Sequence, residues 1–184
     1  MSGPAAFRAP DVGGLARLDG SLVVLTGGTR GIGLHAAAGL ARLGAEVVVT
    51  GRDRDRGEDA VRTITAAAPG AAVRFVPTDL STLAGIRTAA ALLRQEADRI
   101  DVLVHNAGVL LGSPVLTEEG LDPTVVVNHL APFLLTHLLR PVLDRTGAGA
   151  RPARVLTVTS GAARFTAFDP DLLLEKVKVG LLSQ

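Results

Sequence analysis

Short, nearly unbroken apolar runs alternate along this chain with longer segments whose apolar residues recur every three or four positions. The runs fall at residues 22–25, 47–49, 73–76, 102–104 and 155–158 and are rich in Val and Leu. Continuous apolar runs, as opposed to alternating ones, predict parallel strands buried on both faces. The segments between them predict helices. Ile32, Ala36, Leu40 and Leu43 fall on one face of the first, which Gly44 can close in a left-handed cap. Asp53 and Asp55 suit the positive end of the second, which Pro69 and Gly70 terminate. Ser81 is placed to cap the third, with Leu83, Ile86, Ala90, Leu93 and Ala97 turned inward. The fourth is long, residues 121–144, with Val127, Leu130, Leu134 and Leu138 on one side and kinks expected at Pro132 and Pro141. Strand and helix in alternation, joined by right-handed crossovers, predict an α/β doubly wound parallel sheet of Rossmann-like type. Five strands are expected where the dinucleotide folds of this kind have at least six, so the sheet reads as incomplete on its C-terminal side.

Length and composition narrow the function classes. At 184 residues the chain suits one domain. Residues 1–20 read as a loose leader of Gly, Pro, Ala and charges, and residues 21–184 as the domain. With 47% hydrophobic residues, disorder is not expected, and a formal net charge of +1 gives no reason to invoke nucleic acid or an anionic membrane. No cysteine is present, which removes disulfides and thiolate metal sites. His35, His105, His129 and His137 show no metal-ligand spacing, so no metal is expected and the four read as structural or surface groups. Asp101, Asp98 and Glu96 read as a solvated junction. The leader lacks the apolar core of a signal peptide, and no apolar run reaches bilayer length, so a soluble cytoplasmic protein is the expectation.

Candidate chemistry concentrates where the first strand meets the first helix: Thr26, Gly27, Gly28, Thr29, Arg30, Gly31, Ile32, Gly33. A tight turn needs positive backbone angles, a phosphate approaching the main chain excludes a Cβ, and close helix-on-sheet packing excludes a side chain; three glycines meet these needs. Free N–H groups at the helix start then favour a pyrophosphate. No Gly-Lys-Ser/Thr follows, which disfavours a nucleotide-hydrolysing P-loop, and Ser160 sits in no Gly-x-Ser-x-Gly elbow. The second strand ends in Thr50, Gly51 and Arg52. An acid there would suit a ribose 2′-hydroxyl, whereas a 2′-phosphate needs a cation, and the forked guanidinium groups of Arg52 and Arg30 match phosphate oxygens. NADP(H) is therefore expected over NAD(H).

The spacing Thr-Gly-x-x-x-Gly-Ile-Gly resembles the short-chain dehydrogenase/reductase family, and four further motifs follow in that family's order. Asp79 and Leu80 stand where the family places an acid after the third strand, beside the adenine. Asn106, Ala107 and Gly108 match its Asn-Ala-Gly motif near the cofactor ribose. Asn128 matches the helix Asn that holds a water in the proton relay, and Ser160 the Ser that hydrogen-bonds the substrate oxygen. The resemblance implies reversible hydride transfer between a nicotinamide cofactor and a small-molecule carbonyl or alcohol. It also implies pairing of two copies through the long fourth helix.

One element of the family's pattern is missing. Its proton donor is a Tyr assisted by a Lys one helical turn later, because an unassisted phenol, with a pKa near 10, is poorly matched to neutral pH. This chain contains no tyrosine; at the commonest spacing the pair would fall at Leu173 and Val177, with Lys176 and Lys178 beside them. The stretch Ser160, Gly161, Ala162, Ala163, Arg164, Phe165, followed by Phe168 and Asp169, resembles the retinol-dehydrogenase-like branch, where the interval from Ser to Tyr is longer. A truncated reductase is thus the expectation, and a non-catalytic nucleotide-binding or interaction module the alternative.

Overall fold

The computed structural model describes residues 7–111, 116–149 and 151–161. In chain order its elements are β1 (Leu22–Thr26), α1 (Gly31–Arg42), β2 (Glu46–Gly51), α2 (Arg54–Ala67), β3 (Val73–Pro77), α3 (Leu83–Glu96) and β4 (Val102–His105). There follow α4 (Pro123–Val125), a π-helical turn (Val126–Leu130), α5 (Ala131–Gly147) and β5 (Arg154–Thr157). The strands form one parallel sheet in the order β3-β2-β1-β4-β5. The expected α/β doubly wound architecture is therefore present.

Successive side chains of the central strands point to opposite faces, and both faces are covered. Leu22, Val24, Val48 and Leu103 join Ile86 and Leu93 of α3 and Leu135 and Leu139 of α5 in one core. Val23, Val47 and Val49 join Ala37, Ala38 and Ala41 of α1 and Ile64 of α2 in the other. All five residues of β1 are buried, so the reading of an unbroken apolar run as a doubly covered strand holds. The edge strand β5 differs: its four residues are exposed, with Val155 at 43% and Leu156 at 52%.

Several sequence expectations need correction. The buried face of α1 is Gly33, Ala37, Ala38 and Ala41, while Ile32 and Ala36 are exposed. Close packing against β1 and β2 selects small residues, and the larger apolar ones lie at the rim. Thr82, not Ser81, caps α3, accepting from the Gly85 N–H at 3.0 Å, whereas Ser81 is bound to Asp79. In the long fourth helix the most buried positions are Ala131, Leu135, Leu139 and Val142, one residue on from the expected stripe, although Val127 is also buried. The irregularity near Pro132 takes the form of the π turn immediately before it. Pro132 has no N–H to return to the carbonyl of Asn128 four residues earlier, and widening the preceding turn accommodates that loss. Pro141 lies inside α5.

Asp101 is not a solvated acid: one carboxylate oxygen accepts from the Leu22 N–H at 2.8 Å and the other pairs with Arg99. The helical stretch Pro123–Gly147 also reaches 25 residues with a mean hydropathy of 1.2 over its apolar window, long and apolar enough to cross a bilayer by length and composition. No single apolar run reveals this, because Asn128, His129 and Arg140 interrupt it. Its core-facing residues are packed on α3 and the sheet.

Residues 7–20, expected as a loose leader, contain no helix or strand but lie against α1 and its C-terminal turn. The Leu18 N–H donates to the Leu43 carbonyl at 2.8 Å, and Arg17 donates to the Arg42 carbonyl at 3.1 Å. Phe165, Phe168, Asp169, Leu173, Lys176, Val177 and Lys178 lie outside the described residues.

Candidate dinucleotide site

The chain winds from β1 through β2 to β3 on one side, then returns to place β4 on the other side of β1. Parallel sheets open a crevice at such a reversal, outside the carboxyl ends of the strands. Here that crevice is a cleft of about 1230 Å³, larger than typical drug-sized pockets. It runs from the glycine turn past the ends of β2 and β3 to the loops after β4.

Thr26 and Asn106 lock the two walls at the reversal. The Thr26 hydroxyl donates to the Val104 carbonyl at 3.3 Å and accepts from the N–H groups of Asn106 and Ala107, both at 3.1 Å. The Asn106 side-chain amide donates back to the Thr26 and Gly27 carbonyls, at 3.0 and 3.3 Å. Thr26 is 1% exposed and does not line the cleft, which corrects the direct cofactor contact expected of it. Asn106 does line the cleft, but its amide nitrogen is committed to the turn. Both residues are therefore scaffold for the backbone around them.

That backbone fits a pyrophosphate. Gly27 has φ +69° and a Cβ there would stand 2.9 Å from the Ala107 Cα, so the turn passes tightly over the Asn-Ala-Gly loop. A Cβ on Gly33 would meet the Gly27 carbonyl oxygen at 2.3 Å, which brings the helix start against the turn. Gly31, at φ +54°, is different: its Cβ would meet nothing within 4 Å, because it faces the open cleft. The N-cap residue of α1, Arg30, makes no side-chain capping bond, and no acid stands in the first turn. The helix start thus keeps its donors and positive dipole end for an anion. α2 and α3 differ, since Asp53 and Thr82 cap them with side chains.

Arg30, Gly31, Ile32 and Gly33, then Arg52, Asp79, Leu80, Asn106, Ala107 and Gly108 all line this one cleft, so the structure brings the expected cofactor residues together. Ile32 is 81% exposed, an apolar side chain presented to the cleft and not to the core. Leu80 has its side chain in the core, and Asp79 is held by the N–H and hydroxyl of Ser81.

Asn128 and Ser160 stand apart from the cleft lining. Asn128, in the π turn, accepts from the Val109 N–H and donates to the Val109 carbonyl, each at 2.8 Å, closing a two-bond clasp on the loop after Gly108. Asn128→Ala is expected to lower stability by about 1 kcal/mol, through loss of this exposed pair of bonds. It should also loosen residues 108–111 first, measurable as faster amide exchange at Val109. Ser160 is exposed, three residues past the end of β5.

The sequence reading missed Thr50, Thr78, Arg56 and the 117–119 loop, all of which line the cleft. The hydroxyls of Thr50 and Thr78 are buried in the cleft wall with no hydrogen-bond partner among the described residues. Their position at the carboxyl ends of β2 and β3 was the available signal. Arg56 is paired with Asp53 at 3.0 Å, while Glu119 reaches over to accept from the Leu83 N–H at 3.2 Å. The Glu119 carboxyl is held below its ordinary range by hydrogen bonds, first from Thr117.

Known proteins share this arrangement. A family model described as short chain dehydrogenase matches residues 21–169. Dehydrogenase/reductase SDR family member 13 of Bos taurus is 43% identical over 85% of this chain and 40% of its own length. Retinol dehydrogenase 12 of Bos taurus is 40% identical over 82% of this chain and 48% of its own. The chain thus spans less than half the length of these curated relatives. Among solved structures, the Pseudomonas aeruginosa RhlG/NADP active-site complex superposes with a TM-score of 0.67 at 35% identity, over 78% of this chain and 54% of that one. Matched by that family model over residues 21–169 and 40–43% identical to these relatives, the chain belongs to the short chain dehydrogenase family of oxidoreductases, on its retinol-dehydrogenase-like side.

Proposed function

We propose that this chain is the dinucleotide-binding part of an NADP(H)-dependent oxidoreductase that interconverts a small-molecule carbonyl and an alcohol in the cytoplasm. The observation that carries the cofactor reading is the uncapped start of α1, with Gly31 open to the cleft and Arg30 and Arg52 on the same walls. The NADP named in the RhlG complex supports it. Bound NADP(H) supplies or accepts the hydride. The residues of this chain bind and orient it: the turn N–H groups hold the pyrophosphate, Arg52 with Arg30 the 2′-phosphate, and Asp79 the adenine end. Thr26 and Asn106 keep the turn and the Asn-Ala-Gly loop in register. Asn128 fixes residues 108–109, and Ser160 polarises the substrate oxygen. The chain has no tyrosine, so the proton comes from a group other than a phenol of this chain.

The cofactor preference is testable by titrating NADPH and NADH into the protein. NADPH is expected to bind at least tenfold more tightly, because a fork of charge-assisted hydrogen bonds to the 2′-phosphate is lost with NADH. Arg52→Asp is expected to abolish or invert the preference. An unchanged ratio in that variant would remove Arg52 from the site.

A further inference from the structure

Residues 7–19 make a set of contacts whose function the dinucleotide reading does not use. The ring of Phe7 lies on that of His35, with centroids 4.7 Å apart. Pro10 and Val12 stand beside Gly39, where a Cβ would come within 3.4 Å of the proline ring. Farther along, Arg17 and Leu18 bond the carbonyls of Arg42 and Leu43, and a Cβ on Gly44 would collide with Asp19 at 2.2 Å. The segment thus follows one strip of α1 and its C-terminal turn, past His35, Gly39 and Gly44.

The contact nearest the cleft carries the consequence. His35 Nδ1 lies 2.9 Å from the Gly31 carbonyl oxygen, and since a carbonyl only accepts, Nδ1 carries the proton. The carbonyl of Gly31 shares a rigid peptide plane with the N–H of Ile32, one of the donors at the open start of α1. Holding the carbonyl therefore fixes the direction of that N–H. The same carbonyl takes a main-chain bond of α1, from the His35 N–H, so the imidazole adds a second hold on a residue that has no side chain of its own. Phe7 covers the outer face of the His35 ring, which would otherwise be free to turn away.

We propose that residues 7–19 are a brace for the phosphate turn, and that His35 is the positioning residue through which the brace fixes the Gly31–Ile32 peptide. The inference deepens the dinucleotide reading and rests on it for its functional meaning. His35 touches no reacting atom; it acts through Gly31.

The test combines amide exchange of the ligand-free protein with nucleotide titration, on the full chain. In His35→Ala, exchange at the Leu34 and His35-position amides, the first bonded to the Arg30 carbonyl, should be about three- to tenfold faster than in the wild type. NADPH affinity should fall by a similar factor, while adenosine 2′-phosphate, which has no pyrophosphate, should bind as before. His35→Asn, whose amide nitrogen can replace Nδ1, should restore both readouts to within about twofold. Phe7→Ala should reproduce the loss, and combining it with His35→Ala should add nothing. Unchanged exchange in His35→Ala, or equal weakening of both nucleotides, would overturn the brace. A wild-type protein that binds no NADPH would defeat the dinucleotide reading, and the exchange data would still decide the brace.

Discussion

Gly33→Val is expected to abolish dinucleotide binding and to lower stability by about 1–3 kcal/mol, the range found when a well-packed site is overfilled. The first atom added, a Cβ, would stand 2.3 Å from the Gly27 carbonyl oxygen and 2.6 Å from the Asn106 amide nitrogen. Neither neighbour can yield cheaply. The first is backbone in a turn already pinned against Ala107, and the second is the amide that donates to the Thr26 and Gly27 carbonyls. The start of α1 must therefore move off the turn, and the donors that converge on a pyrophosphate diverge. Gly31→Ala provides the contrast, because its methyl group enters open space. It costs only the left-handed backbone conformation, about 1 kcal/mol, but it projects into the cleft where the phosphate approaches. Denaturant titration should thus separate the two variants clearly, while NADPH titration should show strong weakening in both. If Gly31→Ala binds NADPH as the wild type does, the phosphate does not lie over the turn.

Acid should destabilise the protein well before its exposed carboxylates titrate, and a single histidine should account for most of it. His105 is 3% exposed, ends β4, and has its Nε2 2.7 Å from the Thr136 hydroxyl of α5. Burial lowers its pKa from 6.5 to about 4. The folded state therefore holds this ring neutral in a range where the unfolded chain protonates it. Between pH 6.5 and 4 the unfolded state binds more protons, so stability falls as pH falls through that window and is insensitive to this group above it. The full effect is about 3 kcal/mol, at roughly 1.4 kcal/mol for each tenfold change in proton affinity. Urea titrations at pH 7.5, 6.5, 5.5 and 4.5 would measure it. His105→Leu should start about 1 kcal/mol lower at neutral pH, having left the Thr136 hydroxyl unpaired, but should lose much less between pH 6.5 and 4.5. Parallel pH profiles for the two proteins would show that His105 is not the group responsible.

These two expectations differ in how far the sequence alone could have reached them. The glycine turn was legible because each glycine answers a separate steric demand, and only the strand before it and the helix after it are needed to see that. The five strands were legible for a similar reason: a doubly covered parallel strand must be apolar on both sides, so β1 and β2 announce themselves as unbroken runs. What remained hidden depends on pairing across the fold. His105 and Thr136 are 31 residues apart, and nothing local marks them as partners. Asn128 looks like a polar residue on a helix, and only its approach to Val109 shows that both ends of its amide are engaged. Asp101 reads as one of several acids at a junction until the Leu22 N–H is found on it. The face of α1 was misread by one position because side-chain size was taken as the guide to burial, whereas helix-on-sheet contact at Gly33, Ala37 and Ala41 rewards smallness. Thr26 was assigned to the cofactor because it opens the motif, yet its hydroxyl bridges β1 and the loop after β4 beneath the site.

A crystal structure of the protein grown with NADPH tests the cofactor reading most directly. The expected result places the pyrophosphate against the main chain of residues 31–33, with the 2′-phosphate within hydrogen-bond distance of Arg52 or Arg30 and the adenine beside Asp79. Nucleotide bound elsewhere, or a pyrophosphate turned away from the start of α1, would contradict the assignment of this cleft.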